Sequence, residues 1–239
     1  MSTAANTGAA LPKRLLICAL GLLCYASGVA VTKNCELGIS PIVSVAYVLS
    51  LITPITMGWC TTLVNLVFFL LQRLLLRREY PLWMMGAQFL MSILFSVTID
   101  LTAALFGFMA GWAPPYPARL AVFVLGCAVL ALGVFLIVSA DFVALPAEGC
   151  VNAVVRRTGL RFGTGKVLFD GAMVAVTVAV SLLCFRQVRG IREGTLIAVV
   201  LIGTFARHIG ERLGPALERH LDRLWNWRKK QSKLGACHP

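Results

Sequence analysis

The chain has 239 residues, 59% of them hydrophobic and only 13% charged, with a net charge of +12. An ordinary soluble domain carries roughly 25% charged residues, so this composition excludes a soluble fold and points to lipid. Nor does the positive balance indicate nucleic acid, because the basic residues sit in short segments beside apolar runs, where they set membrane orientation.

Taken in chain order, residues 1–11 read as a disordered N-terminal tail, and Lys13 and Arg14 precede an apolar run at 14–32. That run is long for a signal peptide and lacks a small-x-small cleavage site. Cys18 and Cys24 follow Ile17 and Leu23, not the small residue expected before a lipidated cysteine, so the run is expected to remain as a helix. Further runs near the 20 residues needed to cross a bilayer lie at 57–76, 83–110, 119–140, 167–185 and 194–213, which makes six spans.

Between the first two spans lies "VTKNCELGISPIVSVAYVLSLITPITMG" at 31–58, interrupted by Lys33, Glu36 and two prolines. The interruption occurs twice. An ungapped shift of 105 residues matches Pro12 with Pro117, Gly21 with Gly126, Gly28 with Gly133, Pro41 with Pro146 and Gly58 with Gly163. It also pairs Glu36 with Asp141 and Asn65 with Asp170. Glycine and proline are too sparse here for so many coincidences in one register, so the chain is read as an internal duplication. Beyond position 65 the match fades, although "SVTID" at 96–100 and "GTFAR" at 203–207 correspond if two residues are inserted.

The second copy, "AEGCVNAVVRRTGLRF", contains Glu148, Arg156 and Arg157. Arginine at bilayer depth costs about 2.5–3.5 kcal/mol even on insertion scales, so neither copy is expected to cross. Three crossings per half is an odd number, which makes the halves enter the membrane in opposite directions. The expected fold is therefore an all-α membrane protein. Six transmembrane helices form two inverted-topology three-helix repeats, 12–110 and 116–213, each with a short re-entrant or interfacial helix. With both termini cytoplasmic, Lys13, Arg14, Arg73, Arg77, Arg78, Arg156, Arg157, Arg161 and Lys166 lie inside, leaving Lys33, Arg119, Arg186, Arg189 and Arg192 outside.

Each short helix is expected to begin at its proline, which loses no hydrogen bond at the first helical position. Ser40 is a suitable N-cap for the first. If re-entrant, the positive ends of the two helices meet near the membrane centre and favour an anionic group; otherwise both lie flat at the surface as amphipathic connectors.

Candidate pathway residues are Asp100, Asn65, Asp170, Ser40, Pro41, Pro146 and Glu148. Asp100, a carboxylate inside a span, is the first choice for a proton or cation relay, against a structural hydrogen bond or ion pair. Asn65 and Asp170 occupy equivalent places and either face a shared cavity or are structural, Asp170 pairing with Lys166 and Asn65 with a neighbouring helix. Glu36, Asp141 and Glu148 flank the interruptions and either bind cations or are simply solvated.

The three histidines, His208, His220 and His238, lie in or beyond the end of the last span, so no core catalytic pair is available. "GLRFGTGK" at 159–166 has misplaced glycines for a phosphate loop, and Val167 replaces the required Ser or Thr. The eight cysteines show no metal spacing. No enzyme activity, cofactor or metal is expected. In the basic tail at 214–239, Leu217, Leu221, Leu224 and Trp225 continue a face begun by Leu213, forming an amphipathic helix suited to anionic lipid headgroups or to a docking partner.

"NCELGISP" (34–41), "LGLLCYASGV" (20–29), "MGWCTTLVNLVFF" (57–69) and "REGTLIAVVLIG" (192–203) together resemble the YczE/YyaS/YitT family of bacterial integral membrane proteins. The resemblance implies a multi-pass protein of the bacterial inner membrane, a permease or an export assistant, with no catalytic residues to carry over. The second half reads "FVALP" where the first reads "LGISP", so Gly38 and Ser40 lack counterparts and the half-sites are chemically unequal. Two functions follow. A transporter of an unknown small solute or ion requires a polar cavity between the halves, whereas a scaffold docking a biosynthetic or regulatory partner requires a closed apolar interior. The bilayer is the one certain partner; homo-oligomerisation stays open.

Overall fold

A computed structural model describes residues 7–76, 82–109, 111, 114–140, 143, 145–160 and 162–220. The described residues are helical, without strands: α1 (Thr7–Asn34), α2 (Pro41–Ile52), α3 (Met57–Leu76), α4 (Leu82–Leu105), α5 (Tyr116–Ala140), α6 (Pro146–Thr158), α7 (Phe162–Phe185) and α8 (Glu193–His220). A 3-10 turn at Phe106–Met109 extends α4. Helix α1 begins at Thr7, inside the segment expected to be a disordered tail.

Among the described residues, five helices are long and apolar enough to cross a membrane: Lys13–Asn34, Met57–Leu76, Met84–Met109, Tyr116–Ala140 and Thr164–Phe185. The sixth expected span, 194–213, is covered by α8 but is not among them; its second half carries Arg207, His208, Glu211 and Arg212. Helix α8 runs on through Pro215 to His220, while the tail residues Leu221, Leu224 and Trp225 lie outside the described residues.

The core of the bundle is the α1–α5 pair. Gly21 faces Ile137, Tyr25 faces Gly133, Gly28 faces Leu130 and Thr32 faces Gly126. Numbers rise along α1 as they fall along α5, so the two helices are antiparallel. Glycine at these places lets backbones approach closely, which is how helices associate in lipid, where burying apolar surface gives little advantage. Adding 105 to Gly21 and subtracting it from Ile137 yields Gly126 and Thr32, and the same operation turns Gly28/Leu130 into Gly133/Tyr25. Four of the six glycines matched by the sequence shift, Gly21, Gly28, Gly126 and Gly133, are thus contact points of one interface.

Around this pair, α4 packs on α1 and α8 on α5, while α2 and α6 each lie against both α3 and α7. Val45 and Ala46 of α2, Val64 and Phe68 of α3, Cys150 and Val151 of α6, and Phe169 of α7 form one apolar cluster. Phe68 and Phe169 meet at 5.3 Å between ring centres, tilted by 56°, an edge-to-face type of contact.

The loop before α2 is held by the start of α8. Gly194 N donates to Leu37 O (2.8 Å), Ile39 N to the Thr195 hydroxyl (3.3 Å) and Arg192 to Glu36 O (2.9 Å). Arg119 of α5 donates to Cys35 O (2.8 Å) and pairs with Glu36 (3.6 Å). Gly38 has φ +127 and a Cβ there would strike Thr195, so only glycine fits. The motifs "NCELGISP" and "REGTLIAVVLIG" are therefore two sides of one contact.

Candidate functional site

Tyr25 of α1, Asn65 of α3 and Phe95 of α4 each lie near the middle of the span that carries them. All three line one cavity of about 10 Å³, room for roughly a single water. The same cavity is walled by Ile42 and Val43 from the first turn of α2 and by Pro146, Ala147 and Glu148 from the first turn of α6. Both short helices thus begin at the level of the span centres. Glu148 and Val43 are equivalent under the 105-residue shift, so one half supplies a carboxyl where the other supplies an isopropyl group.

Local chemistry accounts for the helix starts only in part. Proline opens both, as expected. Ser40 occupies the N-cap position of α2, yet its hydroxyl makes no capping bond, and Leu145 at the start of α6 has no polar group to offer. The expected serine cap does not form; instead the Ser40 carbonyl receives the amides of Val43 and Ser44, both at 3.0 Å. Helix α2 is tied to α7 by the Ser44 and Thr177 hydroxyls at 2.7 Å, and α6 to α3 by Gln72, which donates to Pro146 O at 3.0 Å. Arg157, at the far end of α6, is exposed and donates to Leu75 O in the last turn of α3.

Of the sequence candidates, Asn65, Pro146 and Glu148 meet at the cavity, and Ser40 and Pro41 immediately precede its Ile42 wall. Asn65 donates to the Ser92 hydroxyl at 2.7 Å while still lining the cavity. Asp170 is buried and accepts from Lys166 at 2.6 Å, the pairing weighed from sequence. Asp141 lies outside the described residues.

Asp100 is placed elsewhere. Its two oxygens accept from Gly58 N at 2.8 Å and from the Thr56 hydroxyl at 2.6 Å, at the start of α3. A carboxyl in this place satisfies one of the free amides at a helix start. The side chain caps α3 from the neighbouring helix and does not line the cavity.

Glu148 contrasts with it. As a residue it is partly exposed along the cavity wall, whereas its Oε2 atom is enclosed and has no hydrogen-bond partner. Burial pushes its carboxyl up from the usual range, against the attraction of Lys166 and its own amide, with Asp170 adding to the rise. One helical turn on, Asn152 Oδ1 is also enclosed without a partner.

Tyr25 and Asn152 were missed from the sequence. Tyr25 sits unremarked inside "LGLLCYASGV". The spacing of Asn152, four residues after Glu148 on the same helix face, was the available signal for it.

No curated protein and no solved structure matches the chain. The model of a family of unknown function, DUF6198, matches residues 12–211, most of the chain, and with its spanning helices and central cavity the protein is a multi-pass membrane protein that belongs to this family.

Proposed function

We propose that the chain is an inverted-repeat transporter of a small solute or ion in a bacterial inner membrane, a permease of YczE/YyaS/YitT type with both termini inside. The observation that carries this is the meeting of both short-helix starts with the Glu148 carboxyl in one cavity at mid-span depth. Interrupted segments at matching positions of two halves converge in this way around transporter binding sites. Further support comes from the antiparallel α1–α5 pair, whose contacts exchange under the 105-residue shift, and from the crosswise packing of α2 on α7 and α6 on α3. On this reading α8 completes the sixth span and α2 and α6 are re-entrant, one entering from each side.

The room for about one water makes the observed state an occluded one. Asn65, Pro146 and Glu148 line the pathway, with Ser40, Pro41 and the Lys166–Asp170 pair beside it, and Asp100 is a structural cap. A scaffold accounts for the small, mostly apolar cavity, but has no use for an enclosed carboxyl oxygen, which costs about 1–3 kcal/mol when left unpaired.

The test is flux into vesicles containing the purified protein, screened against small anions, small cations and an imposed pH gradient. A solute moved by wild type and not by Glu148→Leu of unchanged stability is the expected result. Absence of movement for the whole panel, together with capture of a cytoplasmic protein by the basic tail, returns the scaffold.

A further inference from the structure

Two features of α6 remain unused by a purely structural account, the enclosed Oε2 of Glu148 and the enclosed Oδ1 of Asn152 one turn later, and beside them on the adjoining α7 stands the Lys166–Asp170 pair. Two oxygen acceptors on one helix face, neither with a donor, need positive charge or a donated proton. Lys166 is the cation that acts electrostatically on Glu148, but its ammonium is held by Asp170 at 2.6 Å. The other titratable group acting there is the buried Tyr25 of α1. Gln72 of α3 and Gln88 of α4, both neutral, lie near Gly149 of α6. One ammonium thus acts on two carboxyl groups and pairs with one of them.

We propose that Glu148 is a proton-binding site, occupied in this occluded state, and that Lys166 is shared between Asp170 and Glu148 so that release of the proton draws the ammonium across. On binding, a proton from water adds to the Glu148 carboxylate, giving a neutral acid that donates to an acceptor along the α6 face, where Asn152 Oδ1 stands free. On release the proton returns to water and the carboxylate takes Lys166 as its counter-ion. The Lys166 side chain is 30% exposed against 11% for Asp170, so the ammonium has the freer path to water. The other half has no equivalent, because Val43 replaces Glu148, Thr61 replaces Lys166 and Asn65 replaces Asp170. One proton site per chain follows. The inference deepens the transporter reading and rests on it for its use: the solute would move with a proton.

Infrared difference spectroscopy of the full-length protein in lipid, between neutral and alkaline pH, reads the site without any transport. Wild type is expected to show the C=O band of a protonated carboxyl at neutral pH that disappears on alkalinisation. The band should be absent from Glu148→Gln and retained in Asp100→Asn. Glutamine matches the neutral acid in size, so the variant should fold. Should it not, carboxyl-13C labelling of glutamate in wild type moves the band while labelling of aspartate leaves it. No band at neutral pH in wild type, a band insensitive to glutamate labelling, or a band removed by sodium at constant pH each overturns the proposal. Failure of the two ideas can be told apart. A band with no flux keeps the proton site and removes the transporter, whereas flux without a band does the reverse.

Linkage supplies a second reading. A carboxyl whose folded value is raised stabilises the fold fully below its unfolded value, and that stability is lost as pH climbs through the folded value. The unfolding midpoint of wild type should therefore fall as pH rises above the ordinary glutamate range, and Glu148→Gln should flatten that fall. Equal slopes in the two proteins overturn the assignment.

Discussion

Replacing Gly28 by alanine tests the α1–α5 contact most directly. A Cβ at position 28 falls 2.6 Å from both the Cβ and the amide nitrogen of Leu130, and 2.7 Å from Gly126 O. Carbon atoms prefer about 3.5–4.0 Å, so the two helices must separate by about 1 Å along this line. Overpacking of this kind costs about 1–3 kcal/mol, and the obstacles here include backbone atoms that cannot rotate aside, which places Gly28→Ala towards the upper end. For a chain of this length, about 2–4 °C per kcal/mol converts that into a fall of roughly 5–10 °C in the unfolding midpoint. Gly133→Ala should match it, because its Cβ would lie 2.6 Å from Tyr25 Cα. The double variant should lose less than the sum, since one separation of the helices accommodates both methyl groups. Gly171→Ala and Gly203→Ala, where a Cβ meets nothing within 4 Å, serve as controls and should be neutral or gain up to about 1 kcal/mol of helix propensity. Midpoints are read by thermal unfolding in detergent. If Gly28→Ala and Gly133→Ala unfold with the controls, the glycines are not the contact points and the close antiparallel pair is refuted.

Asp100→Ala should lower stability by about 1–2 kcal/mol by uncapping α3, and Asp100→Asn by less, because one carbonyl oxygen still accepts from Gly58 N. Vesicle flux per folded molecule should be unchanged in both, and flux abolished at unchanged stability would return Asp100 to the pathway. Membrane sidedness can be read by single cysteines in a cysteine-free background at Glu36, whose side chain is 73% exposed, and at Arg157, also exposed. Native Cys35 and Cys150 are poor probes, since each is only 1% exposed. An impermeant thiol reagent should label position 36 in intact cells and position 157 only after the membrane is opened; labelling of both from outside rules out inverted halves.

Much of the architecture was legible in the chain itself. Apolar runs reveal spans because lipid leaves a backbone no partner but its own helix. Five of the expected spans are such helices, and both short helices start at the prolines named from the repeat. The matched glycines also carried their meaning forward, since a residue without a side chain inside a span marks a close approach wherever its partner lies.

Which polar group is structural and which is left free was decided only in three dimensions. Asp100 and Glu148 look alike as carboxyls in or beside apolar segments, and Asp100, deeper in its span, was the stronger candidate. Its partners, Thr56 and Gly58, lie more than 40 positions earlier and become neighbours only when α3 folds back along α4. Glu148 was a pathway candidate that could equally be solvated beside a loop, yet α6 starts at the centre of the bundle and encloses its Oε2. Ser40 likewise had the chemistry of a cap without its geometry, because the preceding loop is held by α8, more than 150 positions away. Hydropathy and spacing are properties of neighbours along the chain, whereas the partner of a polar side chain is set by which distant helix face packs against it.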